Sequence, residues 1–313
     1  MTRLTLNDLN IDFMGKRKIA VIISLSLAIL SIVAIATRGF NFGIDFTGGT
    51  LIEVQYPESA DLTEVRQTLT DAGFPEAVVL HFGTSRDVLI RIAPKEETNS
   101  AQLSNKILAA LQTAHSGVEL RRVEFVGPQV GEDLSNDGFL AVLFALIGIF
   151  IYLVLRFEWR FSAGAVIATL HDIIITLGFF SITGLDFDLT VVAALLAVIG
   201  YSVNDTVVVF DRIRENFRKQ RGDMSTVAVM NDAINQTLSR TTITSWVTLL
   251  AVIALLLFGG DIIHSFSMTL IVGIVVGTFS SIYVASAFAL MMGVSRADLL
   301  PPPKEEVEAD NMP

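Results

Sequence analysis

Cysteine is absent from the 313 residues. That excludes disulfides, thiolate metal sites and cysteine nucleophiles, and leaves the compartment open. Charge is scarce: Asp, Glu, Lys and Arg make up 17% of the chain, against about 25% in soluble domains. Lys and Arg are missing from two short links, 185–188 and 259–264. An excess of basic charge is missing too, and a net charge of −10 argues against a nucleic-acid partner. What is present is apolar. Hydrophobic residues are 52% of the chain and the mean hydropathy is +0.60. These are the proportions of a membrane protein.

Six apolar runs are long enough to span a bilayer as helices: 19–36, 138–155, 161–184, 189–210, 241–258 and 265–292. The first follows Lys16, Arg17 and Lys18, as a signal peptide would. Its 18 uncharged residues are span length, and no small-x-small cleavage site follows, so it reads as a retained span. Short-loop charge sets the orientation. Arg3, Lys16, Arg17 and Lys18 precede the first span, Arg156 and Arg160 lie between the second and third, and Arg212, Arg214, Arg218, Lys219 and Arg221 follow the fourth. The links on the other side carry none. Both termini are therefore expected in the cytoplasm and segment 37–137 outside. The division is a tail over 1–18, a span over 19–36, an outer domain over 37–137, five spans over 138–292 and a tail over 293–313.

The outer segment alternates between strand and helix patterns. Residues 51–56 read as a strand and 62–72 as a helix capped by Asp61. Two strands follow at 77–82 and 88–92, then a helix at 100–114 and a strand at 118–126. The order β-α-β-β-α-β is that of a ferredoxin-like domain. No nucleophile–base pair or metal-ligand spacing stands out in it. His81 and His115 read as surface or structural residues. The tail from Pro301 onward is proline-rich and then acidic, which predicts disorder. The basic stretch around Gly222 and Asp223 suggests short helices along the membrane surface.

Chemistry concentrates in the fourth span, within IGYSVNDTVVVFDRIREN (199–216). Asp205 lies inside the apolar run, about 7–8 Å from its end at 1.5 Å per residue. A carboxylate there costs about 2.5–3.5 kcal/mol on insertion scales, which makes it a functional candidate. Tyr201, Ala197 and Ala194 share its stripe, a face suited to other helices. Arg240, at the mouth of the fifth span before TTITS, enters from the same side and is the expected partner of Asp205, or else a headgroup anchor. A carboxylate whose charge depends on a movable cation is a proton-coupling device. Asp172, beside His171, is a second acid roughly 16 Å into the third span. A relay and a satisfied structural pair are both open for it. Gly273, Gly277, Ser281, Ala285 and Ala289 form a small-residue ridge for close helix approach. Two glycine-rich junctions flank the outer domain: Gly43, Asp45, Gly48 and Gly49 on one side, and Gly127, Pro128 and Gly131 on the other. They read equally as turns or as hinges.

The junctions FGIDFTGGT and VGPQVGEDL, the LHD of the third span, IGYSVNDTVVVFDRIRENFRK and LSRTTITS together resemble the SecF family of bacterial protein export. The resemblance covers about residues 10–296, with no departure at these motifs. It implies a non-enzymatic membrane subunit of the resistance-nodulation-division type, without cofactor and with protons as the coupling ion. It also implies assembly with SecD, the SecYEG channel and YajC in the inner membrane, among lipid, assisting a preprotein late in its export. By the resemblance Asp205 and Arg240 match the family's membrane-embedded acid and base. Three rival readings make other demands on the residues. An aspartyl protease needs two carboxylates sharing a proton, and the two acids differ in depth by roughly 8 Å. A passive assembly subunit would leave proton coupling to its partner. A small-molecule exporter would need a substrate-sized cleft, which six spans and one small domain do not suggest.

Overall fold

A computed structural model describes residues 10–94, 100–219 and 224–294. Six helices in it are long and apolar enough to cross a membrane. They are α1 (Arg17–Arg38), α5 (Pro128–Arg156), α6 (Trp159–Thr183), α7 (Leu189–Lys219), α8 (Thr226–Phe258) and the run His264–Met291. The last is α9 (His264–Ser280), a π-helical turn (Ser281–Ala285) and α10 (Ser286–Met291). Helices α6 and α7 are central, with 61% and 56% of their apolar windows buried. For α1, α5 and α8 the share is 11–22%, so these present their side chains outward. In a bilayer, lipid or another membrane chain covers such faces.

Between α1 and α5 lie β1 (Asn41–Phe42), α2 (Ile44–Thr47), β2 (Gly49–Gln55), α3 (Leu62–Asp71), β3 (Val78–Phe82), β4 (Thr84–Ile92), α4 (Ser100–Ala114) and β5 (Glu119–Val126). Strands β2 to β5 form one antiparallel sheet in the order β3-β4-β2-β5. Alternation puts Ile52, Val54 and Ile90 on one face, where α3 and α4 cover them with Leu69, Ile107 and Leu111. Asp61 caps α3 by accepting from the Thr63 N–H at 2.7 Å. The element order matches the sequence reading, but the loop expected at 83–86 shrinks to Gly83, whose φ of +71° makes the reversal.

Several helices run beyond the apolar spans read from the sequence. Helix α5 starts at Pro128, ten residues before the expected span, because proline is preorganised for a first helical turn. Surface helices were expected after the fourth span; instead α7 runs unbroken to Lys219 and α8 starts at Thr226, capped by Ser225. Their polar ends pack on each other, with Phe210, Ile213, Phe217, Met230 and Ile234 buried together. The N-terminal tail is also partly structured. Phe13 and Met14 are buried in that cluster, and Asn231 and Asn235 on α8 hold residues 11–14 through backbone bonds of 2.8–3.2 Å. The expected disordered tail after Pro301 and the loop at Gly222 and Asp223 lie outside the described residues.

At the domain end, β1 pairs in parallel with β6 (Asp186–Phe187), between α6 and α7. Phe40, Phe42, Phe46, Phe180 and Phe187 stack there, with ring centroids 5.1–6.0 Å apart. Arg91 on β4 bonds Asp186 and reaches Asn41 Oδ1 at 3.3 Å. The sheet is thus fastened to the helical bundle by a partly buried ion pair, beside an aromatic cluster.

Candidate functional site

Asp172 on α6 is 1% exposed and lies where four helices meet. Its Oδ2 accepts hydrogen bonds from Ser202 Oγ on α7 at 2.5 Å and Ser280 Oγ on α9 at 2.7 Å. Its Oδ1 is 2.9 Å from Nδ1 of His171. The other ring nitrogen, Nε2, is 2.5 Å from Ser24 Oγ on α1. With Asp172 ionised its carboxylate only accepts, which would put the ring proton on Nδ1 and make Nε2 the acceptor of the Ser24 hydroxyl. In that state the carboxylate has three donors from three side chains. This satisfies the condition under which a carboxylate tolerates burial.

Glycine makes this meeting possible. A Cβ on Gly277 would lie 3.2 Å from Ser202 Cβ and 3.6 Å from Asp172 Oδ2. One turn earlier, a Cβ on Gly273 would lie 2.2 Å from Val198 Cγ2. Of the expected ridge, Gly273 and Gly277 lie against α7, and Ser281 is fully buried. There the π-helical turn inserts a residue, and Ala285 and Ala289 turn toward Gly164 on α6 instead. The ridge thus serves two neighbours and is not continuous.

Asp205 sits one turn beyond Ser202 on α7 and is 2% exposed. Its environment is the reverse of that around Asp172. Its Oδ2 is buried without a hydrogen-bond partner, as is Thr241 Oγ1 on α8. The Ser245 hydroxyl lies beside the carboxylate, and Arg240 acts on it coulombically. Ser245 is itself engaged, 2.8 Å from Thr278 Oγ1 and accepting from Tyr201 at 3.2 Å. The direct Asp205–Arg240 ion pair expected from the sequence is not formed in this structure. Arg240 occupies an exposed face of α8, and among the described residues no basic nitrogen comes within the 4.0 Å that defines an ion pair with Asp205. The two acids are not bonded to each other either, which removes the geometry that an aspartyl protease needs.

Polar side chains therefore form a file across the bundle: Ser24, His171, Asp172, Ser202, then Asp205 and Ser245. Sequence reasoning found the two acids but missed the serines. A hydroxyl in an apolar helix normally bonds its own backbone, and carries no signal of a remote partner. Among the described residues no cluster of three His, Asp or Glu side chains could hold a metal ion.

The two junctions meet each other. Asp45 Oδ2 accepts from the Leu189 N–H at 3.0 Å, at the start of α7. Asp188 caps the same helix, accepting from the Val191 N–H at 3.0 Å and from Thr190 Oγ1 at 2.6 Å. Burial pushes the Asp188 carboxyl above the usual carboxylate range, with the Asp45 charge adding to it. Gly48 has φ of +67°, and a Cβ there would lie 2.9 Å from Pro128 Cα. Gly131 approaches the Gly48 backbone so closely that a Cβ would be 2.8 Å from its nitrogen. Gly43 donates to the Phe187 carbonyl at 2.8 Å. Gly127 has open space around it and an ordinary φ of −65°. A cleft of about 710 Å³ opens between the uncovered sheet face and these junctions. It is lined by Leu51, Leu80, Leu89, Arg91 and Asp186 among others. No such cleft was expected from the sequence, because it forms between the domain and the bundle and belongs to neither alone.

The chain matches two family models. Residues 106–295 match the C-terminal part of the protein export membrane proteins SecD/SecF, and residues 33–56 match the SecD/SecF GG motif. Protein translocase subunit SecF of Vibrio alginolyticus is 51% identical over 306 residues, covering 97% of each chain. The SecF of Escherichia coli O157:H7 is 46% identical over 301 residues, covering 96% of this chain and 93% of that one. Among solved structures, SecDF of Thermus thermophilus, a translocon-associated membrane protein, superposes with a TM-score of 0.84 at 37% identity. The match covers 92% of this chain and spans 39% of that longer one. SecDF in a super-membrane-facing form superposes less well, at 0.67, with 38% identity.

Proposed function

The chain belongs to the SecD/SecF protein-export family, and from that premise we propose that it is a protein-translocase subunit coupling proton movement to export. Its partner is a SecD-like chain carrying the rest of the SecDF length. The outer domain is ferredoxin-like and periplasmic, both termini are cytoplasmic, and the six spans lie in the inner membrane. The family resemblance extends the partners to SecYEG, YajC and the preprotein.

One observation carries the proton reading: the buried, unbonded Oδ2 of Asp205 at membrane depth. A buried charge needs a partner or a proton. Arg240 is near enough to act on Asp205 and is not bonded to it. Closing and opening that gap as a proton leaves and binds would move α7 against α8. The electrical part of the gradient supplies about 2.3 kcal/mol per charge per 100 mV. Helix α7 meets the domain junctions through Asp45 and Asp188, so movement at Asp205 has a rigid route to the sheet. The unequal match to two SecDF forms at nearly equal identity supports a fold that changes arrangement.

The test is Asp205→Asn in the assembled complex. Export stimulated by the proton gradient should vanish while the complex still co-purifies. Full export by this variant refutes the reading. The saturated bonding of Asp172 suits the second reading, a passive assembly subunit. Proton conductance preserved in the Asp205→Asn, Arg240→Ala double variant would favour it.

A further inference from the structure

From the geometry we infer that His171 and Asp172 form a second proton-binding site, oriented by Ser24 and separate from Asp205. The inference rests on the proton-coupled reading above and adds the residues that would handle a proton on the α1 side.

The two acids are built for different tasks. Asp205 has an unbonded oxygen, whereas both oxygens of Asp172 are engaged. A purely structural carboxylate needs donors only. Here one donor is an imidazole whose far nitrogen is bonded to a third helix at 2.5 Å. A neutral imidazole with a donor on one side and an acceptor on the other is a two-ended proton carrier. The groups facing the pair are Ser24 from α1, Ser202 from α7 and Ser280 from α9. All are hydroxyls, and among the described residues no Lys or Arg forms an ion pair with Asp172. The next acid on α7 is Asp205, three residues past Ser202.

The step conserves atoms and charge. A hydronium ion gives a proton to Nε2, where an N–H bond forms, and is left as water. The Nδ1–H bond breaks, and its proton passes to Oδ1 of Asp172. The imidazole ends neutral in its other tautomer, and the carboxylate ends as a neutral carboxylic acid. The pair has gained one proton and lost one negative charge. Three bonding partners register the change. Nε2 now donates to Ser24 Oγ, so the Ser24 hydroxyl must turn its own proton away. Ser202 and Ser280 lose a charged acceptor, the stronger kind of hydrogen bond. Helices α7 and α9 are thereby loosened from α6 together, while α1 keeps its bond with the donor reversed. Ser280 has a fallback, since its Oγ also lies 3.1 Å from the Gly277 carbonyl. In this reading His171 is a proton carrier and Ser24 a positioning residue.

The experiment uses the complete complex with its SecD-like partner in proteoliposomes, with proton uptake followed by an entrapped pH dye. Three variants are compared across pH: His171→Gln, His171→Asn and Ser24→Ala. Gln offers an amide near the Nε2 position and Asn near the Nδ1 position, so each retains one bond and neither can pass a proton through. Uptake should fall about tenfold or more in both His171 variants. In Ser24→Ala its pH profile should shift, with assembly unchanged. Wild-type profiles in all three would overturn the inference. Asp205→Asn in the same assay separates the two claims. Uptake lost there and kept in the His171 variants removes the second site alone. Uptake kept in every variant removes the proton reading as well. Uptake lost in the His171 variants and kept in Asp205→Asn leaves the second site standing and overturns the role of Asp205. A second readout is independent of transport: nitrogen NMR of the His171 ring, assigned by its disappearance in His171→Asn. The proton should move from Nδ1 to Nε2 as the site loads, and an Nε2–H tautomer at every pH would refute the step.

Discussion

Gly273→Ala should separate α9 from α7 and weaken the Asp172 site from a distance. The added Cβ would meet Val198 Cγ2 at 2.2 Å, Cγ1 at 2.5 Å and Cβ at 2.9 Å. No rotamer of Val198 escapes all three, because the Cβ itself is too close. Carbon atoms in contact settle at about 3.5–4.0 Å, so the helices must part by roughly 1 Å. Over-filling of this kind costs about 1–3 kcal/mol. The damage does not stop at the contact. Ser202, one turn beyond Val198, and Ser280, two turns beyond Gly273, hold Asp172 at 2.5 and 2.7 Å. A parting of about 1 Å takes one or both out of hydrogen-bond range. Val198→Ala removes both γ carbons and should restore much of the loss. The assay is unfolding in detergent for the two single variants and the double variant. The double variant should be more stable than the sum of the singles by about 1 kcal/mol or more. Simple additivity refutes the account, since it would mean that the Gly273–Val198 approach is not what holds the two helices at their present distance.

The domain junction has its own pH dependence. Asp188 has its carboxyl pushed up by burial and by Asp45, so between the unfolded value of 3.8 and the higher folded one the native state binds more protons than the unfolded. Stability of the α7 start must fall as pH rises through that window, and Asp188→Asn, which can still cap, should flatten the slope seen by hydrogen exchange at Val191. A slope of opposite sign would contradict the burial. At the other end, Asn231→Ala with Asn235→Ala removes the side chains that hold residues 11–14. At about 1 kcal/mol per bond, the segment should detach and become open to limited proteolysis, with Phe13 and Met14 leaving their buried sites. Unchanged protection would show that those two side chains hold the segment alone.

Much of this protein is determined locally and is legible in the chain. The six spans follow from apolar runs whose backbone must satisfy itself in lipid. The strand and helix order of 49–126 follows from alternation, the Asp61 cap and the glycine at 83. Asp205 and Asp172 stand out because charge within an apolar run is costly wherever its partner lies. The small-residue ridge of the last span is equally visible up to Ser281. Which neighbour each feature meets is another matter, since that depends on how helices far apart in sequence come together. Ser24 and His171 are 147 residues apart, and nothing in either segment names the other. The Asp205–Arg240 pair was plausible from shared depth, but helix rotation decided it, turning Arg240 outward. Burial and charge mark where a functional group must be. Only tertiary structure, through helix rotation and approach, decided that Asp172 is bonded on every side while Asp205 keeps one oxygen unbonded.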